Sequence, residues 1–152
     1  MGLAHQVLAA SDIEFVYEFA HRRLTEQIVD ETVRTFASWE AKWRKEALEH
    51  YAKLGWSFTT RDENTRAIKG FFLGQPLLFF RGQTQTLWIE HIEADSDETA
   101  NMLIEIAVKV AREKHLQRVL VSEYPKWKNY LSAWNPEPLE AGSIAVVKTT
   151  KG

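Results

Sequence analysis

Glu90-His91-Ile92-Glu93 gathers three ionisable side chains within four residues of a run that is otherwise apolar, Thr86-Leu-Trp-Ile ahead of it and Ala94 behind. Charges at the end of a strand are costly unless they are solvated, paired or used. A carboxylate or an imidazole held there can remove a proton from an ammonium substrate, which makes Glu90 and His91 candidate general bases. Strand alternation puts His91 and Glu93 on one face and Glu90 on the other, so only one side can face a cleft. The competing reading is that the three bond to Arg, Lys or Trp neighbours and do no chemistry. Tyr130 and Tyr124 are candidates for a proton donor, Tyr130 the favoured one, against the reading that each is a packed amphipathic ring. Lys126-Trp127-Lys128 places two cations around an aromatic, fit either for a phosphate and a stacked ring or for a solvated pair around a buried Trp.

These residues hang on a strand, turn and helix running from Thr86 to His115. Ala100, Leu103, Ile104, Ala107, Val108 and Ala111 share one helical face, widened by Met102, Ile106 and Val110. Asp95 with Glu98 three residues on fits a capping-box variant. Free N–H groups in the first turn of such a helix form an anion site, yet the turn carries Asp95, Asp97 and Glu98 and no Gly, Lys or Arg.

The rest of the chain supplies the frame. Residues 5–9 read as a first strand, and Ile13, Val16, Tyr17, Ala20 and Leu24 mark a helix from 12 to about 27. Trp39, Trp43, Ala47, Tyr51 and Leu54 predict a single second helix that Gly55 ends. Strands follow at 56–60 and 67–73, with a turn at 61–65. Gly74-Gln-Pro76 makes the next stretch to Phe80 either a bent edge strand or a break between two strands. A short strand at 118–121, a short helix opening at Tyr124-Pro125, a loop at 135–138 and a last strand at 142–149 complete the order.

With 152 residues, 45% hydrophobic content and no repeat or linker, the chain reads as one domain, 1–152, with a full core. A net charge of −2 leaves no basic footprint for nucleic acid. The absence of Cys excludes a thiolate nucleophile and a disulfide framework. Five His without an i,i+4 pair leave no metal site. Neither a signal-type segment nor an apolar run of membrane-spanning length is visible, so a cytoplasmic, membrane-free protein is expected. The aromatics Trp39, Trp43, Trp56, Phe58, Phe71, Phe72, Phe79, Phe80 and Trp88 are expected mostly in the core, with any excess lining an acceptor pocket or a homodimer face.

The order resembles the GNAT N-acetyltransferase superfamily. Ala10-Ser-Asp-Ile-Glu-Phe-Val-Tyr is similar to the family's first strand-to-helix junction, Ile68-Lys-Gly-Phe-Phe-Leu-Gly to its third strand, Leu87 through Leu116 to its fourth strand and following helix, and Tyr130-Leu-Ser-Ala-Trp134 to its Tyr-bearing segment. The resemblance implies an α+β fold: a central mixed twisted sheet of about six or seven strands flanked by helices, in the order β-α-α-β-β-β-α-β-α-β. It implies acetyl-coenzyme A in a splay between the fourth and fifth strands, along Ile92 and Ala94. The pyrophosphate would lie at the helix start (Thr99, Ala100, Asn101), with Lys126 and Lys128 near the 3′-phosphate. It further implies acetyl transfer to an amine of a small molecule or protein, with Glu90 or His91 as base and Tyr130 as acid. The family's phosphate loop, [Arg/Gln]-x-x-Gly-x-[Gly/Ala], is absent: no Gly occurs between Gly82 and Gly142. Three acids would repel a phosphate by ~1 kcal/mol per close pair in water. The alternative is a GNAT-fold binding or interaction protein that does not turn over acetyl-coenzyme A.

Overall fold

The computed structural model describes residues 2–149. Seven strands form one sheet in the order β1-β2-β3-β4-β5-β7-β6: β1 Leu3–Val7, β2 Phe58–Asp62, β3 Ile68–Phe80, β4 Gln83–Ala94, β5 Arg118–Ser122, β6 Glu137–Leu139 and β7 Ile144–Lys148. All neighbours are antiparallel except β4 and β5, which run parallel with α4 (Asp97–Glu113) as their crossover. This is the α+β architecture the sequence implied. It differs in two elements.

The single second helix is two, α2 (Glu31–Trp39) and α3 (Lys45–Leu54), so three helices separate β1 from β2 once α1 (Ile13–Gln27) is included. The break lets Trp43 turn inward, where its ring sits edge-on to Tyr17 at 5.5 Å. Trp39, assigned to the core by its spacing, is left 60% exposed on α2. The second difference is Glu137–Leu139, expected in a loop but paired to β7 as an edge strand. Pro138 is tolerated there because an edge leaves one side of the backbone without a ladder partner. Residues 74–80 continue β3 as one bent strand beyond the last β2 partner, Phe72. Phe79, another residue assigned to the core, is 81% exposed at its tip.

Two cores lie on the two faces of the sheet. Phe72, Leu87, Ile89, Ile92, Val119 and Val121 pack under α4 and α5 (Tyr124–Leu131). Phe71 and Leu73 pack under α1 and α3 with Val16, Phe19, Leu48 and Tyr51. At roughly 1.5–3 kcal/mol per buried large apolar side chain, each face contributes stabilisation of the order that fixes strand register. Gly70 lets α4 settle: a Cβ there would stand 2.6 Å from Thr99 Cγ2 and 2.7 Å from the Glu93 carbonyl. The helix cap is Ser96, whose hydroxyl accepts from Thr99 N–H at 3.2 Å. The Asp95/Glu98 box is not the one used. No helix of the described residues is long and apolar enough to cross a membrane.

Candidate active site

The β3–β4 ladder slips once. Leu73 faces His91 and Gly74 faces Ile89, so Glu90 is an extra residue on β4, a β-bulge. The slip reverses the alternation. Before it Leu87 and Ile89 point into the α4 core, and after it Ile92 does. The expectation that Glu90 and His91 face opposite sides is therefore wrong. Glu90 Oε2 accepts a hydrogen bond from Trp88 Nε1 at 2.8 Å, and its side chain lines a cleft with Tyr51 and His50 of α3. On that same face the His91 ring lies 5.7 Å from Phe71.

The bulge sits where β4 and β5 part. Their paired positions run from Thr86 and Arg118 to Ile89 and Val121 and end there. Beyond this point β4 continues to Ala94 and into α4, while β5 ends at Ser122 and turns into α5. Between these two walls the β5-facing edge of β4 has no strand partner. The walls are tied at the inner end, where Ser122 Oγ donates to the Glu90 carbonyl at 2.7 Å. Lys42 Nζ reaches the same carbonyl at 3.4 Å from the other face. At the outer end the Tyr130 hydroxyl donates to Asp97 Oδ1 at 2.7 Å.

Two open clefts of about 420 and about 470 Å³ meet at Lys42 on the α3 side of this splay. The first is lined by Glu40, Lys42, Arg44, Tyr51 and Glu90, the second by Lys42, Trp88, Ser122 and the Gly142–Ile144 turn. Burial, and secondarily the Glu90 charge, push the Tyr51 phenol up to about 12. It is thus neutral at physiological pH.

His91 is buried rather than cleft-lining. Its Nε2 is 3.2 Å from Glu93 Oε1, and Glu93 Oε2 accepts from Arg23 Nε of α1 at 3.3 Å. Burial is the largest single influence on Glu93 and would raise its pKa. The His91 hydrogen bond and charge, Lys126 and Arg23 together outweigh it and hold the carboxyl below its ordinary value. Buried His91 Nδ1 has no partner among the described residues.

The start of α4 is largely committed. Thr99 N–H is taken by Ser96 Oγ and Ala100 N–H by the Ser96 carbonyl at 3.0 Å. Asp95 is held by Lys69 at 3.6 Å and by the Thr99 hydroxyl at 3.2 Å. Of the remaining residues expected at a coenzyme, Ile92 is buried and Ala94 half-buried, with Asn101, Lys126 and Lys128 exposed. Trp127 is buried in the α4 core, so its ring is not open to stack on a base, and Lys126 lies over it at 5.4 Å.

The structure thus brings Glu90, Tyr51, Lys42 and Trp88 together, of which sequence reasoning singled out Glu90 as a candidate base and named Trp88 only among the aromatics. The bulge had a signal in the sequence: inward apolar positions step by two at Leu87 and Ile89, then by three to Ile92. Nothing in the spacing of α3 signalled that Tyr51, read as a core residue, would border Glu90.

No family model matches the chain, and no curated protein matches it. Solved structures do. The chain is similar to the PaiA N-acetyltransferase of Thermoplasma acidophilum, solved with coenzyme A, at 14% identity and a TM-score of 0.71, covering 99% of this chain and 100% of that one. A GNAT-family acetyltransferase of Staphylococcus aureus Mu50 matches at 11% identity and 0.71, over 98% and 100%. The ribosomal-protein-S18-alanine N-acetyltransferase of Escherichia coli matches at 11% and 0.64, over 99% and 96%. At such identities the likeness is one of fold: this chain has the fold of the GNAT acetyltransferases.

Proposed function

We propose that the chain is an acetyl-coenzyme A-dependent N-acyltransferase acting on an amine of a small molecule or protein, with residues 1–152 as one cytoplasmic domain. The observation that carries this reading is the bulge at Glu90, beside a splay of two parallel strands and open to a cleft on the far face from α4. The fit to the cofactor is good along the strand, where the β4 edge beyond the bonded Glu90 carbonyl, from His91 to Ala94 and including Ile92, has no strand partner and offers backbone groups to an extended amide-bearing arm. At the helix start the fit relies on the N–H groups of Asp97 and Glu98, on Asn101 and on the Lys126 and Lys128 charges. The N–H groups of Thr99 and Ala100 are already spent within the cap.

Acetyl-coenzyme A, when bound, supplies an acetyl thioester. With that thioester held in the splay, Glu90 would accept the proton that the acceptor nitrogen gives up. Trp88 holds one carboxylate oxygen in place and leaves Oε1 to receive that proton. Tyr130 would supply the proton for the thiolate, which requires its hydroxyl to leave Asp97. His91 bonds to Glu93 and orients the strand end instead of meeting the acceptor. A homodimer through the exposed Leu78 and Phe79 is part of the same proposal.

Calorimetric titration with acetyl-coenzyme A tests the reading, followed by turnover with a panel of amines. Binding with transfer supports it, and no binding at millimolar ligand overturns it. The second reading, a GNAT-fold binding protein without turnover, draws on the acidic glycine-free turn and on the Tyr130–Asp97 tie across the splay. Bound coenzyme with acetyl transfer would exclude it.

A further inference from the structure

We propose that the Tyr51 hydroxyl and the free oxygen of Glu90 together seat the acceptor's ammonium group, and that the acceptor enters as a cation without an anionic group beside the amine. The inference rests on reading the α3-side cleft as the acceptor site, and it adds the residue and the charge class that site selects.

The two groups arrive from different elements. Glu90 reaches the cleft because the bulge turns it toward α3, and Tyr51, in the second turn of α3, lines the same cleft. Oε2 of Glu90 already accepts from the Trp88 indole, which orients the carboxylate and leaves Oε1 with both lone pairs for an ammonium N–H. A neutral phenol beside it offers an oxygen lone pair to a second N–H. Tyr51 itself is 8% exposed, so its ring is fixed by packing against the α1–α3 core, which limits the bulk that fits beside it.

The other charges of the cleft decide its sign. Arg44 is turned to the Trp39 carbonyl at 3.1 Å and to Glu46 at 3.4 Å. Lys42 is on the Glu90 carbonyl at 3.4 Å. Arg44 and Glu46 offset each other, and the charges left lining the cleft are the carboxylates of Glu40 and Glu90 against the Lys42 ammonium, a negative balance. That balance attracts an approaching ammonium, and a carboxylate next to the amine is disfavoured by it.

The test has two arms. In the first, the full chain with 13Cζ-labelled tyrosine is titrated with n-butylammonium, without coenzyme. The resonance lost in Tyr51→Phe is expected to shift saturably, those of Tyr17, Tyr124 and Tyr130 to stay, and the shift to vanish in Glu90→Gln. Glycine at the same concentrations is expected to give no shift. A stationary Tyr51 resonance, or a glycine response equal to that of butylammonium, overturns the proposal. In the second arm, Tyr51→Phe is expected to raise the KM for an alkylamine roughly tenfold, the value for one hydrogen bond to a charged group. Its kcat is expected to hold within about twofold and its coenzyme affinity to be unchanged. An unchanged KM overturns the proposal. If no amine is acetylated at all, the reaction is refuted while the first arm still decides the ammonium seat.

Discussion

The Tyr130 hydroxyl bonds to Asp97 Oδ1 at 2.7 Å, and so joins α5 to the first turn of α4 across the mouth of the β4–β5 splay. The hydrogen bond it donates to Asp97, with smaller contributions from burial and from the Asp97 charge, raises the Tyr130 pKa above its ordinary value. The residue proposed to protonate a leaving thiolate is therefore held by an acid of the α4 start, where the proposal places the coenzyme phosphates. Tyr130→Phe removes the tie and leaves the charge. It is expected to tighten coenzyme A binding severalfold by calorimetry while slowing acetyl transfer. Asp97→Asn is expected to tighten it further, by about fivefold for ~1 kcal/mol of relieved repulsion. Equal affinities across the three proteins would show that the tie does not gate the groove.

Glu90→Gln keeps the shape and the Trp88 contact but removes the base, and kcat for amine acetylation is expected to fall roughly 10²- to 10⁴-fold. His91→Ala should act on stability instead. It strips the buried Glu93 carboxylate of one partner, for about 1–3 kcal/mol in denaturant unfolding. A loss of turnover in His91→Ala with wild-type stability would reverse the two assignments.

Gly70→Ala sets a methyl against Thr99 Cγ2 and the Glu93 backbone, neither of which is a flexible side-chain end. The variant is expected to lose about 1–3 kcal/mol of stability, as overpacked sites do. Because the start of α4 must lift, the Ser96 cap should also show faster amide exchange at Thr99.

The Tyr51 phenol is raised from 10.0 to about 12 by burial and by Glu90. The unfolded chain thus releases this proton first, and the contribution is intact below pH 10 and lost as pH climbs toward about 12. Wild-type unfolding free energy is expected to decline over that window, and Tyr51→Phe to flatten the decline. Chemical denaturation at stepped pH measures it.

Glu93 works in the opposite direction. Its folded pKa is depressed, so its contribution is present above the ordinary carboxylate value and lost as pH falls through the folded one. Acid unfolding of Glu93→Gln is expected to show a shallower pH dependence than wild type below that range.

The sequence by itself determined the layers. The inward apolar series of α4 and the apolar runs of β3, β4 and β5 specify which faces are buried, because burial of those side chains depends on local periodicity alone. Pro125 marked a helix start on the same local grounds. Only the tertiary structure decided the site. Whether β4 carries a bulge depends on its register against β3, and the bulge is what turns Glu90 to the face of His91. Tyr51 and Lys42 meet Glu90 from 39 and 48 positions away in the chain, through the packing of α3 and of the segment before it. The acidic turn shows the same division: its composition is local, but Asp95 is held by Lys69 and Asp97 by Tyr130, partners that only the folded chain brings near. Periodicity carries no information about such long-range pairings, and the geometry of the candidate site rests on them.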